Sequence, residues 1–195
     1  AVMRHTLNEL RREDPNAVIH YGWVDYDQIS DHLKRAVISS EDANFFEHKG
    51  IEWDAIRQAW DYNKKQASQG SDKRRGGSTL TQQLAKNLFL STKRSYSRKA
   101  QELILSVMIE AVMSKQRILE LYLNVAQWGT RDFGAQAAAK HYFNTTADKL
   151  STTQAARLAA MLPNPVFYDR NGNTSYLQRR TNTISQRMRL ITLPQ

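Results

Sequence analysis

Cysteine is absent from the 195 residues, which excludes disulfides and thiolate metal sites and leaves the compartment open. Glycine (8) and proline (4) are scarce, which argues against a sandwich or barrel built on many turns. Long apolar runs are missing too. No stretch approaches the roughly 18 residues that span a bilayer, and the run over 103–109 is interrupted by Ser106. No segment has the layout of a signal peptide. The chain opens at Ala1-Val2-Met3 without an initiator methionine, so a longer native N-terminus is expected. Neither repeats nor low-complexity segments occur.

What is present points to one helical domain. An apolar content of 41% fits a folded core, and this length supports one domain, in two lobes at most. Basic residues outnumber acidic ones, 28 to 19, for a net charge of +9. That favours an anionic partner: nucleic acid, an anionic bilayer surface or a phosphorylated substrate.

Along the chain, residues 1–27 are mixed, with Trp23-Val24-Asp25-Tyr26 reading as extended. Ser30 caps a helix with Leu33, Ala36 and Val37 on one face, ending near Glu41-Asp42. A second helix starts near Asp54. Residues 63–77 hold no large apolar side chain and read as a mobile basic loop, with Lys73-Arg74-Arg75 before a glycine pair. Helices are predicted over about 79–90, 98–113 and 115–124. The second of these carries the strongest stripe: Ala100, Leu103, Ile104, Val107, Met108, Ala111 and Val112. Phe133-Gly134-Ala135 opens a small-residue helix. Ser151-Thr152-Thr153 caps an Ala-rich one that stops at Pro163-Asn164-Pro165, and a basic helix runs over about 175–190. The reading is all-α.

The most informative run is Gly76-Gly77-Ser78-Thr79-Leu80-Thr81-Gln82-Gln83-Leu84-Ala85-Lys86-Asn87. Thr79 and Gln82 have capping-box spacing, so Ser78 or Thr79 is the expected N-cap. Glycines beside a helix N-terminus make an anion site, because free N–H groups and the helix dipole point the same way. Gln82 and Lys86 are i,i+4 neighbours, as are Gln83 and Asn87, while Leu80, Leu84 and Leu88 mark the buried side. Such a polar, singly cationic face suits a ligand with phosphate and hydroxyl groups.

This run resembles the second motif of the peptidoglycan glycosyltransferases, membrane enzymes that polymerise lipid II. Four further segments resemble the family's other motifs in order: Glu41-Asp42-Ala43-Asn44-Phe45-Phe46-Glu47-His48-Lys49-Gly50, Arg98-Lys99-Ala100-Gln101-Glu102, the stretch from Lys115-Gln116-Arg117 to Asn124, and Ala155-Ala156-Arg157 through Pro165. Together the five cover about two thirds of the chain. The resemblance implies a lysozyme-like large lobe and a smaller membrane-facing jaw lobe over about 45–75, within one domain spanning 1–195. It also implies an N-terminal membrane anchor upstream of Ala1. Ser-x-x-Lys with a downstream Lys-Thr-Gly is missing, which points away from a transpeptidase domain and toward a monofunctional member or an excised domain.

Roles follow from the resemblance residue by residue. The family's general base maps onto Glu41, which a helix C-terminus and packed aromatics would make more basic. Asp42 and His48 would orient its loop, and Phe45 falls in the same motif. The second catalytic carboxylate maps onto Glu102, where a divalent cation, Mg²⁺ or Mn²⁺, is a possible helper. Lys86 and Arg94 map onto the contacts to the donor diphosphate, with Arg98 and Lys99 assisting. Gln82, Gln83, Asn87, Ser78 and Thr79 would bind sugar and phosphate oxygens. Phe45, Phe46, Ile51, Trp53, Ile56 and Trp60 form an apolar cluster in the lobe that meets the bilayer. Implied partners are lipid II, undecaprenyl-diphosphate-linked glycan, the membrane surface and other cell-wall synthesis or division proteins. The implied location is the outer, periplasmic face of a bacterial inner membrane, and phosphoglycolipids of the moenomycin type are the family's inhibitors.

Residue pattern alone leaves other readings open. Glu41-Asp42 also fits a solvated helix end, and Arg98 with Glu102 fits an i,i+4 surface ion pair. The segment 115–124 reads as mainly structural, with Glu120 and Asn124 bracing the cleft. A lysozyme-like hydrolase or lytic transglycosylase shares the two-carboxylate logic. A basic nucleic-acid binder is allowed by charge, but no DNA-binding pattern is present, so nucleic acid is not an expected partner.

Overall fold

The computed structural model describes residues 1–68, 76–90 and 95–194. Lys73-Arg74-Arg75 and Arg94, singled out above, lie outside the described residues. The chain is all-α: α1 (Val2–Glu13), α2 (Asp31–Glu41), α3 (Trp53–Ser68), α4 (Leu80–Phe89), α5 (Tyr96–Val112), α6 (Lys115–Val125), α7 (Ala135–Phe143), α8 (Thr152–Met161), α9 (Pro165–Asn171) and α10 (Ser175–Arg187). Two two-residue strands, β1 (His20–Tyr21) and β2 (Asp132–Phe133), pair in parallel, His20 opposite Asp132.

The helix starts follow local chemistry. Ser30, Thr79, Ser95, Ser114, Ser151 and Thr174 each cap a helix through the side-chain oxygen. Each accepts an N–H that the helix itself leaves unpaired. At α4 and α8 the capping box is complete.

The core lies between α2, α8 and α10 on one side and α4, α6 and α7 on the other. Leu33, Ala36 and Val37 of α2 meet the alanines of α8, and Ile118, Leu119 and Leu123 of α6 are fully buried. Alanines on α7 and α8 let the helices approach closely. Trp128 is fully buried in the same core, its indole N–H donating to Leu158 O of α8 at 2.9 Å.

Two expectations change. Residues 2–13 form a helix, not mixed chain. It has no fully buried residue, only a half-buried stripe of Val2, Met3, Leu7 and Leu10, so its signal was faint. Residues 63–68 continue α3 instead of opening the basic loop, because Lys and Gln are good helix formers even without an apolar face. The Ala-rich helix stops at Met161, just ahead of Pro163-Asn164-Pro165, as expected, and Pro165 does not extend it. Pro165 begins α9, where its missing N–H is harmless at the first position.

The direction of the α5 stripe, which periodicity leaves open, is set by the fold. The stripe points outward: Ile104, Val107, Met108 and Val112 are exposed, Val112 at 78%. The inward face is Glu102, Ser106 and Ile109. α3 behaves similarly, burying only Ala59 while Trp53 (65%) and Trp60 (72%) stand exposed. No helix among the described residues is long and apolar enough to cross a membrane.

Candidate active site

Glu41 is the last residue of α2. Burial pushes its carboxyl above the ordinary glutamate range, against the pull of a hydrogen bond from Gln83, the Arg180 charge, Ser40 and Lys86. Gln83 Nε2 donates to Glu41 Oε2 at 3.0 Å, and Ser40 Oγ lies 3.4 Å from Oε1. Gln83 is itself oriented, because Tyr122 OH donates to Gln83 Oε1 at 3.0 Å. Burial raises the Tyr122 phenol far above its usual value, with Glu41 and Asp42 adding to the shift, so it stays a donor. Tyr122 thus decides which end of the Gln83 amide faces the carboxylate. Tyr122 lies in the 115–124 segment expected to be mainly structural; the signal for its role was a lone hydroxyl on an otherwise apolar stripe, since a buried tyrosine seeks a partner.

The loop after Glu41 is tied to the start of α4. His48 Nε2–H donates to the buried Asp42 carboxylate at 2.9 Å, and His48 Nδ1 accepts from Gly50 N–H at 3.0 Å. Asp42 Oδ2 also accepts from Leu80 N–H at 2.9 Å, and Thr79 Oγ1 donates to Gly50 O at 2.6 Å. Thr79 N–H is taken by Gln82 Oε1, and Gln82 N–H by Thr79 Oγ1. The α4 N-terminus therefore already holds an anion, the chain's own Asp42. This corrects the expectation of a phosphate cradle there. Gly77 serves packing instead: a Cβ would meet Ala55 O at 2.9 Å and Ile56 Cα at 3.0 Å of α3.

Three of the residues assigned to substrate consequently lie away from the open cleft. Gln82 is fully buried in the capping box, Thr79 is its buried partner, and Phe45 belongs to the core beneath Lys115. Asp42 and His48 sit in the loop brace just described. Glu120 and Asn124 do not brace the cleft either. Tyr26 N–H donates to Glu120, and the Asn124 amide bonds both Val24 N–H and Val24 O.

The other assigned residues come together. A cleft of about 500 Å³ is lined by Ser78, Gln83, Lys86, Asn87, Arg98, Lys99 and Glu102, with Tyr122, Gln127 and Pro165 among its remaining walls. Glu102 is buried, and α5 carries it inward in place of an apolar residue. Arg98 Nη1 donates to Glu102 Oε2 at 3.1 Å, and Lys99 Nζ to Oε1 at 2.5 Å and to Ser78 Oγ at 2.9 Å. Arg98 Nε is buried without a partner among the described residues. Burial lowers the pKa of Lys86, Glu102 raises it, and Arg98 and Lys99 lower it again. Glu41 also acts on Lys86, which therefore stands within electrostatic reach of both carboxylates. Gln127, Pro165 and Tyr122 were not foreseen as lining, and neither was Arg180 beside Glu41, reaching from α10 to Ser40.

The donor set at Glu102 does not fit a protein-held Mg²⁺ or Mn²⁺. Both carboxylate oxygens are bonded to fixed cations, whereas such ions gather several oxygen ligands. Glu102 belongs to neither group of three metal-ligating side chains found among the described residues.

Comparison with known proteins gives a consistent picture. A family model described as Transglycosylase matches residues 8–189. The biosynthetic peptidoglycan transglycosylase of Bordetella pertussis is 64% identical over 194 residues, covering 100% of this chain and 80% of that protein. The proteins of the same description from Janthinobacterium sp. and Laribacter hongkongensis are 53% and 48% identical, covering 98% and 100% of this chain and 81% and 83% of their own lengths.

Proposed function

The chain belongs to the transglycosylase family and is a peptidoglycan glycosyltransferase of cell-wall glycan polymerisation, and we propose that its reaction is inverting transfer of a growing glycan from undecaprenyl diphosphate to lipid II. The observation that carries this reading is a cleft lined by the cations Lys86, Arg98 and Lys99 whose wall residue Gln83 bonds the buried Glu41 carboxylate, which burial makes more basic.

In this mechanism the Glu41 carboxylate takes the proton from the 4-hydroxyl of the acceptor GlcNAc as its oxygen attacks C1 of the donor MurNAc. The C1–O bond to phosphate breaks, its electron pair leaves on the diphosphate, and the link inverts from α to β. A β-1,4 bond results. Negative charge grows on the departing diphosphate. Cations already fixed near that oxygen stabilise the transition state more than the ground state. Glu102 acts through Arg98 and Lys99, holding both in place and favouring the charged form of Lys86. Arg94, assigned to the donor diphosphate by the resemblance, lies outside the described residues. Gln83, Asn87 and Ser78 offer hydrogen bonds to sugar and phosphate oxygens. No step is routed through a divalent cation.

The exposed apolar faces of α3 and α5 support a membrane-docked enzyme. Trp53 and Trp60 on α3 and Ile104, Met108 and Val112 on α5 are large apolar side chains left exposed. Trp with nearby Lys and Arg suits the headgroup level. The reading is thus a catalytic domain on the outer face of a bacterial inner membrane, its jaw lobe of about residues 45–75 meeting lipid.

The test is incubation of the detergent-solubilised protein with labelled lipid II, in parallel with Glu41→Gln. Long glycan from the wild type, and a loss on the order of 10²- to 10⁴-fold in the variant, is the expected outcome. Full polymerisation by Glu41→Gln would sink the base assignment. Cleavage of finished peptidoglycan without consumption of lipid II would instead indicate a hydrolase.

A further inference from the structure

The cleft lining divides by element. Around α4 and α5 it is polar and cationic, through Ser78, Lys86, Arg98 and Lys99. At the end of α6 and in the turn between α8 and α9 it is apolar, through Ala126, Leu162, Pro163 and Pro165. Gln127, directly after Ala126, is the polar side chain of this apolar stretch. Glycosyl transfer as derived from Glu41 and the cations uses neither Gln127 nor the apolar wall.

The Gln127 amide has a fixed direction. Its Nε2 donates to Gly129 O at 2.9 Å. A carbonyl only accepts, so the NH₂ end faces Gly129 and Oε1 is the free end of a side chain that lines the cleft. Oε1 accepts no hydrogen bond among the described residues. The turn that carries Gly129 is braced by distant segments. Trp128 N–H donates to Asp132 O at 2.9 Å, Tyr142 OH to Trp128 O at 2.6 Å, and Thr130 N–H to Asp169 Oδ2 at 2.7 Å. Gln127 itself bridges Phe133 in antiparallel register, and Gly134 N–H donates to Ala126 O at 2.8 Å. Gly134 has a φ of +85°, and a Cβ there would meet Asn124 O at 2.5 Å, so glycine is required to close this loop. Rigid backbone thus carries the acceptor oxygen of Gln127, as selective recognition requires.

We propose that Gln127 and this apolar wall form a subsite for the 2-acetamido group of the acceptor GlcNAc, an inference that rests on the glycosyl-transfer reading. Gln127 Oε1 accepts the amide N–H, and the methyl group packs against Leu162 and Pro165. A single oriented acceptor beside apolar side chains suits a secondary amide with a methyl end. Phosphate and hydroxyl groups find better partners among Lys86, Arg98 and Lys99. Position favours the sugar over the stem peptide. Ala126 N–H donates to Tyr122 O, so the subsite begins one helical turn from Tyr122, which orients Gln83 on Glu41. On the acceptor ring only C3 separates C2, which bears the acetamido group, from C4, whose hydroxyl Glu41 deprotonates. Gln127 therefore determines specificity and takes no part in proton transfer.

The test compares polymerisation of lipid II with that of an analogue whose GlcNAc carries a 2-acetoxy group. The analogue keeps the carbonyl and the methyl and loses the N–H. Wild type should prefer lipid II by about 10- to 100-fold in kcat/KM, because the analogue leaves Oε1 without a donor. Gln127→Met keeps the length of the side chain and removes the acceptor, and should narrow this preference to about threefold or less. Removing the stem peptide from both substrates should leave the ratios unchanged. Leu162→Ala gives a second readout. It should improve use of a 2-propanoylamino analogue relative to lipid II by about tenfold, since the added methylene finds room. No preference in wild type, or the same preference in Gln127→Met, overturns the proposal, as does a preference that disappears with the stem peptide. If Gln127→Met does not fold, unchanged acyl selectivity in Leu162→Ala overturns it. Failure of the glycosyl-transfer reading looks different: wild type then consumes neither substrate, and the subsite falls with it.

Discussion

Helices α5 and α8 are both apolar and both periodic, yet they face opposite ways. On α8, Ala155, Ala156, Leu158, Ala159 and Ala160 are buried against α2 and α10, and its caps point to water. On α5 the buried positions are Glu102, Ser106 and Ile109, while Ile104, Val107, Met108 and Val112 lie on the outside. Apolar periodicity identifies a face that avoids water. It does not say whether protein or lipid covers it. The first turns of α5 line the cleft through Arg98, Lys99 and the inward Glu102, so this reversal and the site arise together.

The sharpest break between the two regions is a large-to-small change in each. Trp128→Ala, in the α8 region, should destabilise by about 3–5 kcal/mol, read by denaturant unfolding, because it leaves a large cavity in the buried core. Met108→Ala on the outside of α5 should stay within about 0.5 kcal/mol. Equal losses would mean that the α5 stripe is covered in solution.

In the cleft that α5 shares with α4, Lys86→Ala should lower the turnover of lipid II on the order of 10²- to 10³-fold, with the fold intact by circular dichroism. A loss confined to KM would instead make Lys86 a ground-state contact. On the outer face, Ile104→Ser, Val107→Ser and Val112→Ser combined should weaken binding to anionic phospholipid vesicles by about tenfold or more. Polymerisation of a short-chain lipid II analogue in detergent should be largely spared.

Two smaller effects test Glu41. Its folded pKa is raised, so the native state holds the proton more tightly than the unfolded chain. Its contribution to stability is present at low pH and is lost as pH rises through the raised value. Glu41→Gln should therefore melt higher than wild type near neutral pH, and the gap should shrink toward acid. Catalysis runs the other way, rising with pH as the carboxylate forms. The acid limb of the rate profile should move to higher pH in Arg180→Gln, because the Arg180 charge favours the ionised form. An unmoved limb would separate Arg180 from the base.

Much of this was legible in the residues. Ser30, Thr79 and Ser151 were readable as caps because a cap depends on neighbours a few residues away. The order of the motifs pointed to the family. Lys86, Arg98, Lys99 and Glu102 were named as a set, and the fold gathers them around one cleft. What misled was the meaning of single residues. Gln82 looked like a ligand for sugar, yet the capping box it completes is itself the reason for its burial. The glycine pair looked like a phosphate cradle, but Asp42, 38 residues upstream of Leu80, occupies the helix end.

The division follows from range. Helix type, caps and the all-α class rest on interactions within about one turn, and the sequence carries those directly. Which way α5 faces, which anion sits at α4, how Tyr122 orients Gln83 toward Glu41, and how His20 meets Asp132, 112 residues apart, are set by contacts between distant segments. Only the packed chain brings those groups within hydrogen-bonding distance, and only there does burial change what a carboxylate can do.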